Sequence, residues 1–111
     1  MASWQYYVPY QLKCVYCGFD GKPQKAWWLF SNDHLVPQKL GGGNEDLNIV
    51  LACSGCNSTK KDFDPTDGSR DPLTPESRDR LIERARNFIR KQRAMWEQDA
   101  HWRRIRAELG I

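Results

Sequence analysis

Four cysteines fall into two pairs, Cys14-Val15-Tyr16-Cys17 and Cys53-Ser54-Gly55-Cys56. A two-residue spacer lets both thiolates of a pair reach one metal ion, and two such knuckles complete a tetrahedral zinc site of four thiolates. A disulfide framework would need an oxidising compartment, to which nothing in the sequence points. A redox role for one pair would leave the other without a purpose. A closed four-cysteine site has no open coordination position, so this zinc is expected to hold the frame and do no chemistry. Between the knuckles lie Asp33-His34 and Asn48, and Asn57 follows the last cysteine. A carboxylate and a carboxamide are oxygen donors suited to a hard cation such as Mg2+. An imidazole titrates near neutrality and is suited to activating a water.

The elements that must position these groups are short. Residues 1–13 read as an extended aromatic arm packed on the domain, with Trp4, Tyr6, Tyr7 and Tyr10. Gly18 to Lys25 reads as a turn, and the apolar run from Ala26 to Ser31 predicts a buried strand. Trp27 and Trp28 are therefore expected in the core, in preference to a base-stacking role. Asn32 to Asp46, with Pro37 and the run Gly41-Gly42-Gly43-Asn44, has loop composition. Leu47 to Ala52 predicts a second strand. Ser54 to Asp62 predicts a short helix with Ser54 as its cap and Lys60 and Lys61 at its carboxyl end.

These residues together resemble a known family. The order Cys14-x-x-Cys17, Asp33-His34-Leu35-x-Pro37, Gly41-Gly42-x-Asn44, Asn48, Cys53-x-x-Cys56-Asn57-x-x-Lys60 is similar to that of HNH endonucleases with the ββα-metal fold. The resemblance runs from about Lys13 to Asp62, and the joint spacing is far more specific than any one element. It implies that His34 is the general base for the attacking water. Asp33 and Asn57 would ligate one Mg2+ or Mn2+ that clamps the scissile phosphate. Asn48 would tie the loop to the strand and help hold His34. Lys60 and Lys61 are candidate phosphate contacts, and the glycine run would let the loop turn tightly beside the nucleic-acid backbone. The implied reaction is hydrolysis of DNA, double-stranded or branched, leaving a 5′ phosphate and a 3′ hydroxyl. Two departures stand out. Asn57 occupies a position where many members carry His, and the loop has three consecutive glycines where two are usual.

After the loop-like segment 62–74, Thr74-Pro75-Glu76 opens a helix with Thr74 as N-cap and proline at the first helical position. Leu81, Ala85, Phe88, Ile89, Met95, Trp96, Trp102, Ile105 and Leu109 follow at helical spacing. They predict one long amphipathic helix, or two with a break near Asp99-Ala100, whose apolar face packs on the zinc domain or on a second copy of the chain. A homodimer through this segment is thus one expectation. His101 reads as an ordinary helical histidine.

The 111 residues carry 17 Lys+Arg against 14 Asp+Glu, a net charge of +3. The balance is uneven. Residues 1–74 hold 7 basic and 8 acidic residues, and residues 75–111 hold 10 and 6, nine of the ten being Arg. Arginine suits bidentate contacts to phosphate, and Arg84 and Arg90 are candidate nucleic-acid contacts. The length leaves room for one small domain with an appendage. The longest apolar run, Ala26 to Phe30, is far short of the roughly 20 residues that span a bilayer. No basic-then-apolar segment opens the chain, so a cytoplasmic protein is expected. The expected architecture is α+β: a zinc-stapled ββα-metal core at 1–62, a connector at 63–74, and a long amphipathic basic helical segment at 75–111 packed on the core.

Overall fold

A computed structural model describes residues 4–111. The fold is α+β. Strand β1 (Phe30–His34) pairs antiparallel with β2 (Ile49–Cys53), in the register Phe30↔Cys53 through His34↔Ile49. Helix α1 (Ser54–Lys60) follows β2 without a break, giving the ββα unit. Two further helices, α2 (Pro75–Glu97) and α3 (Ala100–Leu109), complete the chain. All five residues of β2 are buried, as its continuous apolar sequence requires of a strand covered on both faces.

The first strand lies later than its hydropathy suggests. Trp27–Leu29 forms a 3-10 turn, and the strand itself is the polar run Phe-Ser-Asn-Asp-His. Pairing with β2 decides its position: the register that buries Phe30 opposite Cys53 leaves Trp27 and Trp28 outside the ladder. Both tryptophans are exposed, at 52% and 61%, which corrects their expected place in the core. The aromatic arm is also turned rather than extended. Trp4–Tyr6 is a 3-10 helix, the Leu12 amide returns to the Tyr7 carbonyl, and the Tyr7 hydroxyl donates to the Phe30 carbonyl at 3.0 Å. Residues 1–3 of that arm lie outside the described residues.

Helix boundaries follow local chemistry. Thr74 caps α2 through a reciprocal capping box with Ser77, and Pro75 sits at the first helical position. Asp99 caps α3 by accepting from the Trp102 amide, which ends α2 and starts α3 where the sequence pattern breaks. Helix α1 is capped by the Cys53 sulfur, which accepts from the Cys56 amide, rather than by Ser54. Leu81, Ile82, Ala85 and Ile89 of α2 are buried in the same core as Val50, Leu51 and the knuckle cysteines. Met95 and Trp96, farther along α2, are exposed. No helix among the described residues is long and apolar enough to cross a membrane.

Candidate active site

The four cysteine sulfurs lie within 4.8 Å of one another. Cys17 Sγ and Cys53 Sγ are 3.7 Å apart, close to the roughly 3.8 Å edge of a tetrahedron with zinc–sulfur bonds of about 2.3 Å. Backbone amides turn toward the sulfurs: those of Tyr16 and Cys17 approach Cys14 Sγ at 3.4 and 3.5 Å, and that of Phe19 approaches Cys17 Sγ at 3.4 Å. The Arg93 guanidinium of α2 donates to Cys56 Sγ at 3.3 Å. Hydrogen bonds from Cys53 and Cys56 push the Cys14 thiol well below its ordinary pKa, and the same contact with Cys14 pushes the Cys56 thiol up. Donors aimed at clustered sulfurs stabilise thiolates, the form that binds metal. The donor set, spacing and surroundings fit a structural zinc.

The first knuckle also reaches the candidate catalytic residues, through Tyr16. Its hydroxyl donates to Asp33 Oδ2 at 2.6 Å. Burial, and then the Asp33 charge, raise the Tyr16 pKa well above its ordinary value, so the phenol remains a donor. Lys60 Nζ lies 3.2 Å from the same Asp33 oxygen and donates to the His34 carbonyl at 3.1 Å. Lys60 is only 1% exposed. The expectation that it contacts phosphate is therefore corrected: its ammonium is enclosed, and a buried ammonium needs partners of this kind. Lys60 is an internal counter-ion.

Asn48 is fully buried. Its Oδ1 accepts from the Val36 amide at 2.8 Å, while its Nδ2 donates to the Val36 carbonyl at 3.1 Å and the Gly43 carbonyl at 2.8 Å. Its side chain thus holds both ends of the loop between the strands. The glycines serve that loop internally. Gly41 takes the left-handed φ of +102° that closes the turn at Gln38–Leu40. A Cβ on Gly42 would lie 1.7 Å from the Val36 carbonyl oxygen. Close approach of backbone to backbone accounts for Gly42.

Asn44, at the end of the same loop, faces His34. Its Oδ1 lies 2.8 Å from His34 Nε2 and also accepts from Gln38 Nε2 at 3.3 Å. A carbonyl oxygen can only accept, so the contact assigns the proton to Nε2 and leaves the lone pair on Nδ1. Asn57 is held through its nitrogen, which donates to Ser31 Oγ at 3.1 Å.

Asp33, His34 and Asn57 line one hollow of about 380 Å3, together with Lys39 and Lys61. Asn48 and Lys60 stand behind it. Arg84 and Arg90 are exposed on α2, with Arg84 donating to the Pro65 carbonyl and Arg90 to Asn87. His101 is exposed on α3. Four residues missed by the sequence reading matter here: Tyr16, Asn44, Arg86, which donates to the Val15 carbonyl at 2.9 and 2.6 Å, and Arg93. Asn44 stood within the motif and carried a signal; the other three act through contacts distant in sequence.

No curated protein and no solved structure gives a significant match to the chain. The model of the family described as HNH endonuclease matches residues 14–63, a span that holds both knuckles, both strands and α1. The chain therefore carries an HNH endonuclease domain, of a family of nucleases that act on DNA, with four cysteines that fit its zinc-binding form.

Proposed function

We propose that this domain hydrolyses DNA phosphodiester bonds one strand at a time, leaving a 5′ phosphate and a 3′ hydroxyl. The observation that supports the reading best is the meeting of Asp33, His34 and Asn57 in one hollow. His34 Nδ1 takes a proton from water as the oxygen attacks phosphorus, the bond from phosphorus to the 3′ oxygen breaks, and that oxygen takes a proton from solvent to leave as the 3′ hydroxyl. Asn44 keeps the imidazole in the tautomer whose Nδ1 is free for that task. Asn48 fixes the loop that carries Asn44. Asp33 and Asn57 are the residues that would hold one Mg2+ or Mn2+. Tyr16 and Lys60 both act on Asp33 Oδ2, which holds the carboxylate in place. A bound divalent cation supplies charge stabilisation to the phosphate and the leaving oxygen.

In this reading residues 1–62 form the catalytic core with its aromatic arm, residues 63–74 connect, and residues 75–111 are a basic helical extension. Lys61, on the rim of the hollow, and Arg84 and Arg90 on α2 contact the phosphate backbone. One such site cuts one strand per encounter, so a double-strand break needs two copies or two visits.

Supercoiled plasmid incubated with Mg2+ or Mn2+ tests the proposal. The wild type is expected to produce nicked circles, and His34→Ala to lose at least about 100-fold in rate, the scale of a missing general base. Equal cutting by both proteins would refute the role of His34. No cutting of any DNA by the folded, metal-loaded wild type would leave a zinc module that only binds.

A further inference from the structure

His34 stands between two hollows of opposite character. One is the charged hollow with Asp33, Asn57, Lys61 and the ion pair of Lys39 with Asp62. The other is an adjoining groove of about 690 Å3 that shares Asn32, His34 and Gln38 with it. Its described lining includes Tyr6, Tyr7, Ser31, Asn32, Gln38 and Asn44, and apart from His34 contains no acidic or basic side chain. Hydroxyl, amide and aromatic groups make up its wall, with the aliphatic Ile49.

The groove opens toward an exposed aromatic cluster. Tyr7 is stacked at a tilt on Trp4, with ring centres 5.0 Å apart; Trp4 meets Trp27 at 5.6 Å, and Trp27 meets Trp28 at 5.8 Å. Trp4, Trp27 and Trp28 are each more than half exposed. Three large aromatic side chains left in water, contiguous with a groove, mark a binding surface. Strand β1 connects the cluster to His34. Four residue steps from Phe30, which directly follows the Trp27–Leu29 turn, to His34 span about 13 Å.

We infer that this groove and its tryptophans bind the unpaired bases of single-stranded DNA next to the phosphate held in the charged hollow. The inference rests on the nuclease reading, and it deepens it by naming the form of the substrate. A DNA strand offers anions and flat uncharged rings in regular alternation, which matches a charged hollow and an uncharged aromatic groove that meet at His34. Duplex bases are already stacked on one another and present only their edges, so the faces of Trp27 and Trp28 can stack only on bases that are unpaired.

The test uses His34→Ala as the parent, so that Mg2+ can be present without cutting. A fluorescein-labelled oligothymidylate of about twelve nucleotides and a duplex are each titrated by anisotropy. Trp27→Ala with Trp28→Ala is expected to weaken single-strand binding at least about tenfold and duplex binding less than about twofold. The dependence of affinity on salt should keep its slope, because no charge has been removed. Trp28→Ala alone, which removes a ring that is 61% exposed, should lose affinity in the same direction; zinc content and circular dichroism verify that both variants are folded. Unchanged single-strand affinity, or equal losses on both forms of DNA, would overturn the inference. So would a changed sedimentation coefficient with unchanged DNA binding, which would make the cluster a contact between copies. Plasmid assays separate the two readings. A wild type that never nicks but binds single strands through its tryptophans refutes the nuclease and keeps the groove, while a nicking enzyme indifferent to Trp27 and Trp28 does the reverse.

Discussion

Lys60 occupies the least accessible position an ammonium can have in this chain, with both of its partners, Asp33 Oδ2 and the His34 carbonyl, on the candidate catalytic strand. Removing one member of a buried pair leaves the other charge uncompensated, at a cost of about 3–5 kcal/mol. Lys60→Met is therefore expected to lower stability by about 3 kcal/mol in urea denaturation. Adding Asp33→Asn to the same chain should recover part of that loss, because no unpaired carboxylate remains. If Lys60→Met unfolds at the wild-type urea concentration, the pair does not hold the strand as described. Residue types made Asp33, His34 and Asn57 candidates, since their chemistry is intrinsic to the side chain, and the joint spacing of the motif implied their roles. The partnerships of Tyr16 with Asp33 and of Lys60 with His34 were not legible, because each joins segments far apart in sequence. A lysine three residues after Asn57 reads equally well as a solvated phosphate contact until the fold closes over it.

The elements divide along the same line between local and distant causes. The cap at Thr74 was readable because the side chain and the amide it satisfies lie three residues apart, and the break expected near Asp99-Ala100 holds a second cap of the same spacing. The strand β1 was misplaced because hydropathy favours Trp27-Trp28-Leu29, whereas pairing with β2 selects the polar segment that follows. The loop between the strands depends on a contact of the second kind. Gly42 approaches the Val36 carbonyl, and that carbonyl is itself held by Asn48. Gly42→Ala forces a methyl into this contact and is expected to cost about 1–3 kcal/mol. Thermal unfolding would register it as a lower Tm, with slower nicking as the loop that carries Asn44 shifts. Gly55→Ala is the control: it sits in α1, where the added Cβ meets only the end of the Arg93 side chain at 3.4 Å. An alanine within a helix should be neutral or stabilising. A Gly42→Ala chain as stable as the Gly55→Ala chain would show that the close approach is not required.

Across the whole molecule, the cysteine knuckles are joined to the sheet and to α2. Val15 of the first knuckle receives Arg86 of α2 and donates its amide to the Leu51 carbonyl of β2. Cys56 of the second receives Arg93. The apolar face of α2 completes the core around them. A chain of this size buries a modest core, and a structural zinc can contribute on the order of 10 kcal/mol to folding. Cys53→Ser is therefore expected to lose zinc and native structure together, seen by mass spectrometry and circular dichroism. A variant that keeps its fold without zinc would contradict this. The separation of the knuckles along the chain has a further consequence, for the order of assembly. Cys17 and Cys53, whose sulfurs are 3.7 Å apart, are 36 positions apart in sequence. Closing a loop of that length costs about 3 kcal/mol in the length-dependent part of the chain entropy alone, and β1, β2 and the loop between them all lie inside it. One ion captured by both knuckles offsets that cost at once and turns the pairing of β1 with β2 into a short-range search. The speed at which the hairpin zips is then governed by the arrival of zinc, so refolding followed in time should accelerate with zinc concentration until the hairpin's own closure becomes limiting.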